Sequence, residues 1–182
     1  MKAIPLLLFL FAVLVQWAAP LSQIWTHERV LADGALLRLK CAAPDPYDPL
    51  RGRYLAVRPV EDTVASSASD SYDTPLYVTW TTGEDGLARL AAATREKPTQ
   101  GDFVKVLSRS HSAGITHIRW PFDRFYINEK LAPEADKWFA ETVRDAKGVI
   151  AEVRVLDGRA VLQDLTFDGK SFREILKGRL VK

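Results

Sequence analysis

The hydrophobic pattern begins with a run that carries no charge. From Ala3 to Thr26 every residue is uncharged, and AIPLLLFLFAVLV within that run is continuously non-polar. A helix rises about 1.5 Å per residue, so about 20 such residues cross a hydrocarbon core of about 30 Å. The run is long enough to span. Lys2 and the terminal amine precede it, and Trp17 and Trp25 lie toward its far end, where indole rings favour the membrane interface. This arrangement places the N-terminus inside and the chain after about residue 27 outside the cytoplasm. A cleaved signal peptide shares the basic start and the apolar run. Cleavage after Ala19 would put Trp17 at the small-residue position and Pro20 directly after the cut, so an uncleaved anchor over residues 1–26 is the favoured reading. Pro5 suits a first turn, whereas Pro20 predicts a kink or the end of the helix.

After the anchor, strand patterns dominate. Residues 35–41 alternate, and 54–57 form a second short strand behind a turn rich in proline. Residues 60–75, VEDTVASSASDSYDTP, are rich in Ser and Asp with little period, which predicts a mobile loop. Residues 76–82 are β-branched and aromatic, Gly83-Glu-Asp-Gly86 supplies a turn, and 87–94 return, as in a hairpin. Candidate strands 103–109 and 115–120 flank Ser112-Ala-Gly114. One helix is marked by Pro133, by a shared face of Ala135, Trp138, Phe139, Thr142, Val143 and Ala146, and by Gly148 as its stop. Strands over 149–156 and 159–167 meet at Asp157-Gly158, and Asp168-Gly169 turns again toward a last strand at 172–176. The predicted fold class is mainly β (α+β): a single N-terminal transmembrane helix, then an antiparallel β domain over residues 27–182 with one packed helix.

Composition narrows the function classes. The chain has 182 residues, enough for one domain and an appendage, and 47% hydrophobic with 26% charged content is that of a folded protein. Removing Lys2 from the 25 Lys and Arg leaves 24 against 23 Asp and Glu, so no strong field favours nucleic acid. Cys41 is the only cysteine, which excludes an intramolecular disulfide and a thiolate metal cluster. It reads as a small apolar residue on a strand, with a disulfide between two chains as the alternative.

The stretch Asp48-Pro-Leu-Arg-Gly-Arg-Tyr54, with Asp45-Pro46 before it, resembles the signature of the GDYXXLXY family of membrane-anchored bacterial proteins. Ile24-Trp25 with His27-Glu-Arg-Val30, Pro121-Phe-Asp-Arg-Phe-Tyr-Ile-Asn-Glu-Lys130 with Leu131-Ala-Pro-Glu-Ala135, and Asp157-Gly-Arg-Ala-Val-Leu162 are similar to the family too. The sequence departs from the family's name at Arg53 in place of Asp, Val57 in place of Leu and Pro59 in place of Tyr, so no carboxylate at 53 or phenol at 59 carries over. The resemblance implies an anchored β domain in the bacterial inner membrane, facing the periplasm or the outside, and a multi-pass membrane protein as partner. The family carries no established activity, so the resemblance implies no reaction.

Two segments concentrate chemistry. In Arg51, Gly52, Arg53 and Tyr54, a glycine lets backbone N–H groups converge while two guanidiniums offer forked contacts to an anion; alternatively the prolines and Gly52 only shape a turn. In Asp123, Arg124, Tyr126, Asn128 and Glu129, hydrogen-bonding groups crowd a strand-to-helix connection, where they serve a partner or satisfy orphan backbone groups. His111 and His117 do not have the spacing of a helical metal pair, and Ser110 lacks a Gly-x-Ser-x-Gly setting. The acidic flank of Glu61, Asp62, Asp70, Asp73, Glu84 and Asp85 lacks the ligand spacing of a calcium loop and reads as solvated, and Arg173, Lys177, Arg179 and Lys182 reach anionic lipid only if the tail folds back. No catalytic residue, metal or cofactor is assigned. The leading function is a non-enzymatic interaction module or accessory subunit docking on a membrane partner through the two segments. A small-ligand or anion-binding domain comes second and a hydrolase third.

Overall fold

The computed structural model describes residues 3–42, 54–66, 72–128 and 148–180. The helix expected at 133–146 lies outside them, as do Arg51, Gly52, Arg53 and Glu129. The uncharged run forms helix α1 (Ala3–Asp33), which does not end at Pro20 or at Thr26. Proline removes one hydrogen bond and crowds the preceding turn, but each further residue adds its own bond, so the helix propagates beyond it. Leu7–Asp33 is long and apolar enough to cross a membrane, and Leu7, Phe11, Leu14 and Trp17 are exposed.

Eleven strands follow among the described residues: β1 (Ala35–Cys41), β2 (Tyr54–Ala56), β3 (Thr63–Ala65), β4 (Pro75–Thr82), β5 (Ala88–Thr94), β6 (Phe103–Ser112), β7 (Ile115–Arg119), β8 (Arg124–Tyr126), β9 (Val149–Leu156), β10 (Arg159–Phe167) and β11 (Lys170–Ser171). Helix α2 (Phe172–Leu180) closes the chain. The strands form antiparallel sheets in the orders β1-β9-β10-β11, β3-β7-β6-β4-β5 and β2-β8. This is the mainly β domain behind a long apolar helix that the patterning predicts.

Two local expectations change. Within 60–75, where a loop was expected, Thr63–Ala65 is a strand paired with β7, Thr63 opposite His117 and Ala65 opposite Ile115. Three residues are too few for a period to show, and a partner strand supplies the hydrogen bonds that fix them. Residues 172–176 are helix rather than strand. Ser171 precedes that helix with Glu174 three residues on, the spacing of a capping box, and Ser171 Oγ accepts the Glu174 N–H at 3.4 Å.

The β6–β7, β9–β10 and β10–β11 connections are two-residue hairpins at Ala113-Gly114, Asp157-Gly158 and Asp168-Gly169, with positive φ at both central residues in each. This turn matches the right-handed twist of paired strands. The five-stranded sheet curls until β3 and β5 approach, with Arg89 Nε 4.0 Å from Glu61 Oε1 just ahead of β3. A Val104–Gly158 bridge and the Lys105 N–H donated to Gly158 O at 2.8 Å join it to the four-stranded sheet. One continuous core fills the space between, with Leu37, Leu39, Val153 and Leu165 from the four-stranded sheet facing Leu76, Val78, Val104 and Val106.

The end of α1 belongs to this domain rather than to a linker. Val30 is buried, Gly34 donates its N–H to Val30 O at 3.0 Å, and Arg154 Nη1 donates to Gly34 O at 3.1 Å. A register shift between Leu162 and Asp164 sets Gln163 in the bulge of β10, where its Oε1 accepts from Arg154 Nε at 2.8 Å and aims the guanidinium.

Cys41 is buried on β1, and burial pushes its thiol from the ordinary 9.0 up to about 12. The folded value lies above the unfolded one, so this contribution to stability is fully present below pH 9.0 and is lost as pH rises toward about 12. Urea midpoints should fall across that window in the wild type and fall less steeply in Cys41→Ala. A disulfide-exchange reagent at neutral pH should modify Cys41 only as fast as the domain opens. Fast modification of the folded chain would contradict the burial.

Candidate functional site

Strands β2 and β8 bring Tyr54, the described residue of the first segment singled out in the sequence, beside Arg124 and Tyr126 of the second. They pair antiparallel with Tyr54 opposite Tyr126, Leu55 opposite Phe125 and Ala56 opposite Arg124. Residues 124–126 are thus a short strand, not the irregular connection expected. Side chains alternate across a strand, so Leu55 and Phe125 enter the core while Tyr54, Arg124 and Tyr126 share the opposite face.

On that face the Tyr54 and Tyr126 rings lie 6.0 Å apart, and the Arg124 guanidinium carbon sits 4.7 Å from the Tyr54 centroid. Arg124 is diagonal to Tyr54 across the ladder, within reach for long and aromatic side chains. Arg124 Nε is 3.7 Å from Asp123 Oδ1. The Tyr126 side chain, then Tyr54 and Asp123, hold the guanidinium above its already high ordinary value. Tyr126 is 70% exposed, and Asn128, also exposed, has a partner of its own. The face is a planar cation between two phenols, open to solvent. Arg51, Gly52, Arg53 and Glu129 lie outside the described residues.

Long-range pairing holds this face in place. Val57 donates its N–H to Asp123 O at 2.8 Å, Trp120 Nε1 donates to Glu61 O at 2.9 Å, and Ile118 N–H donates to Asp62 O at 2.8 Å. From Asp123 an open groove of about 510 Å³ runs past Phe122, Pro121 and Arg119 to Lys105. Lys105 and Pro121 also line a smaller cleft of about 260 Å³ whose far wall is Thr26, His27 and Val30 of α1. Neither Lys105 nor Arg159 on the same wall stands out in sequence. Lys105 occupies an ordinary outward position of β6, and only the bond to Gly158 carries it to the cleft.

The other candidates take ordinary places. His111 Nδ1 lies 2.8 Å from Thr116 Oγ1, and among the described residues no three of His, Cys, Asp and Glu converge as a metal site would require. In the acidic flank, Asp73 pairs with Arg119 at 2.6 Å and Asp85 with Arg89 at 2.8 Å. The Leu87 backbone N–H, and then Arg89, hold the Asp85 carboxyl below its ordinary value. Arg173 of the closing run lies over Phe125, 5.3 Å from the ring centroid.

No curated protein and no solved structure matches this chain. The family model described as GDYXXLXY protein matches residues 16–165, from the middle of α1 into β10 and across both candidate segments. A match over that much of the sequence places the chain in the GDYXXLXY protein family.

Proposed function

We propose that this chain is a membrane-anchored interaction module, an accessory subunit that docks on a multi-pass membrane protein through the Tyr54, Arg124 and Tyr126 face. In this reading α1 sits uncleaved in a bacterial inner membrane, and the β domain stands on the periplasmic or outer side. The observation that carries it is the exposed guanidinium set 4.7 Å from the Tyr54 ring centroid, with the Tyr126 ring 6.0 Å from that of Tyr54. Tyr and Arg dominate binding energy at protein interfaces because each combines a large contact area with directional polar groups. The pair is already ordered in the ladder, so less side-chain freedom is lost on docking. Arg51, Gly52, Arg53 and Glu129, close in sequence to Tyr54 and Asn128, are included in this docking proposal on sequence grounds.

The test uses the full-length chain, crosslinked in its membrane and solubilised in mild detergent. Arg124→Glu should lower recovery of one specific multi-pass protein about tenfold or more. The melting temperature should not move, because Arg124 is exposed and, among the described residues, its ion pair is with the adjacent Asp123. Equal recovery, or loss of folding with loss of recovery, would remove the docking role.

A further inference from the structure

We propose that the cleft between the last turns of α1 and the β9–β10 turn binds the phosphodiester headgroup of an acidic phospholipid, with Lys105 and Arg159 as its cationic contacts. The inference rests on the membrane-anchor reading of α1 and is independent of the protein-docking face. Its first support is position. The uncharged run ends at Thr26, and Thr26, His27 and Val30 form one wall of the cleft. If α1 spans a bilayer, that wall lies where hydrocarbon gives way to headgroups, with exposed Trp25 at the same level.

The second support is charge. Arg38, Arg89, Arg119 and Arg124 each have a carboxylate partner, whereas neither Lys105 nor Arg159 makes an ion pair among the described residues. Both are exposed, and among the described residues no Asp or Glu lines the cleft. Their positions are fixed by backbone, since Lys105 N–H is bonded to Gly158 O and Arg159 directly follows Gly158. Two cations on one cleft beside a bilayer, without an ion pair among the described residues, are matched by anionic lipid. The apolar surface of Pro121 and Val161 in the same cleft suits the glycerol and first methylenes below the phosphate.

The experiment reconstitutes the full chain into vesicles of equal parts phosphatidylcholine and phosphatidylglycerol. Lipid retained after extraction into mild detergent is then counted by native mass spectrometry. Wild type should retain phosphatidylglycerol preferentially. Each cation near an anionic surface is worth about a factor of five, so Lys105→Gln with Arg159→Gln should cut the preference about thirtyfold. Lys105→Arg with Arg159→Lys should preserve it, and so should Arg173→Gln with Lys177→Gln. An undiminished preference in the first double variant, or an equal loss in the Arg173 and Lys177 variant, overturns the site. Abolition by inorganic phosphate, but not by chloride at matched ionic strength, assigns the cleft to free phosphate and overturns the lipid. A chain washed from the vesicles by alkaline carbonate brings down the anchor and the site together. A chain that stays embedded without a lipid preference brings down the site alone.

Discussion

Phe172→Ala will lower the unfolding free energy of the domain by about 3 to 5 kcal/mol, the range for removing a buried phenyl ring and leaving a cavity. Phe172 is wholly buried at the first position of α2, with its ring 5.3 Å from Phe167 and 6.2 Å from Phe125. It ties three elements together: the helix it begins, β10 through Phe167, and β8 through Phe125. Because Phe125 lies directly beneath the Tyr54, Arg124 and Tyr126 face, the cavity should also loosen that face. Phe172→Leu keeps most of the volume and should cost less than half as much. Urea titration of the full chain in detergent, followed by tryptophan fluorescence, measures both. A loss below about 1 kcal/mol for the alanine variant would mean that α2 does not pack on the sheet.

Gly34→Ala is the second large effect, although it adds a single carbon. A Cβ at Gly34 would collide with Val30 O and lie 3.0 Å from the Val155 backbone N and 3.1 Å from its O. All three are main-chain atoms, and they cannot turn aside as a flexible side chain would. The joint must open, at an expected cost of about 1 to 3 kcal/mol and with loss of the Arg154 bond to Gly34 O. The change should appear first at the junction. Amides of residues 30–36 should exchange faster with solvent while the β4–β5 hairpin remains protected. Unchanged protection at 30–36 would show that α1 and the sheet are joined less closely than these distances state.

Both predictions depend on contacts between residues far apart in sequence, and these are where sequence reasoning stopped. The hairpins at Asp157-Gly158 and Asp168-Gly169 were legible because Asp-Gly announces positive φ at two successive residues. The inward positions of β9, Val149, Ala151, Val153 and Val155, follow from alternation alone. Strand β3 left no such trace, since three residues among Ser and Asp show no period and only pairing with β7 defines them. Helix α2 carries a signal of its own, Ser171 with Glu174, but the strand and turn pattern before it predicts a strand over the same residues.

The candidate face was legible as two separate segments, each with its own chemistry. That Tyr54 stands opposite Tyr126 depends on a pairing between residues 72 positions apart, for which neither segment carries a local cue. Lys105 and Arg159 were not legible at all, because an outward charge on a strand looks the same wherever the strand goes.

By itself, the sequence determined what short-range physics decides: an apolar helix long enough to span, the turns that glycine permits, the mainly β content and the family signature at 48–54. Only the tertiary structure decided that α1 continues through Pro20 to a joint at Gly34, that Tyr54 shares one face with Arg124 and Tyr126, and that Lys105 and Arg159, which make no ion pair among the described residues, line one cleft beside the helix. Periodicity and turn chemistry are written in consecutive residues. Strand pairing and the neutralisation of charge depend on which distant residues the common core brings together.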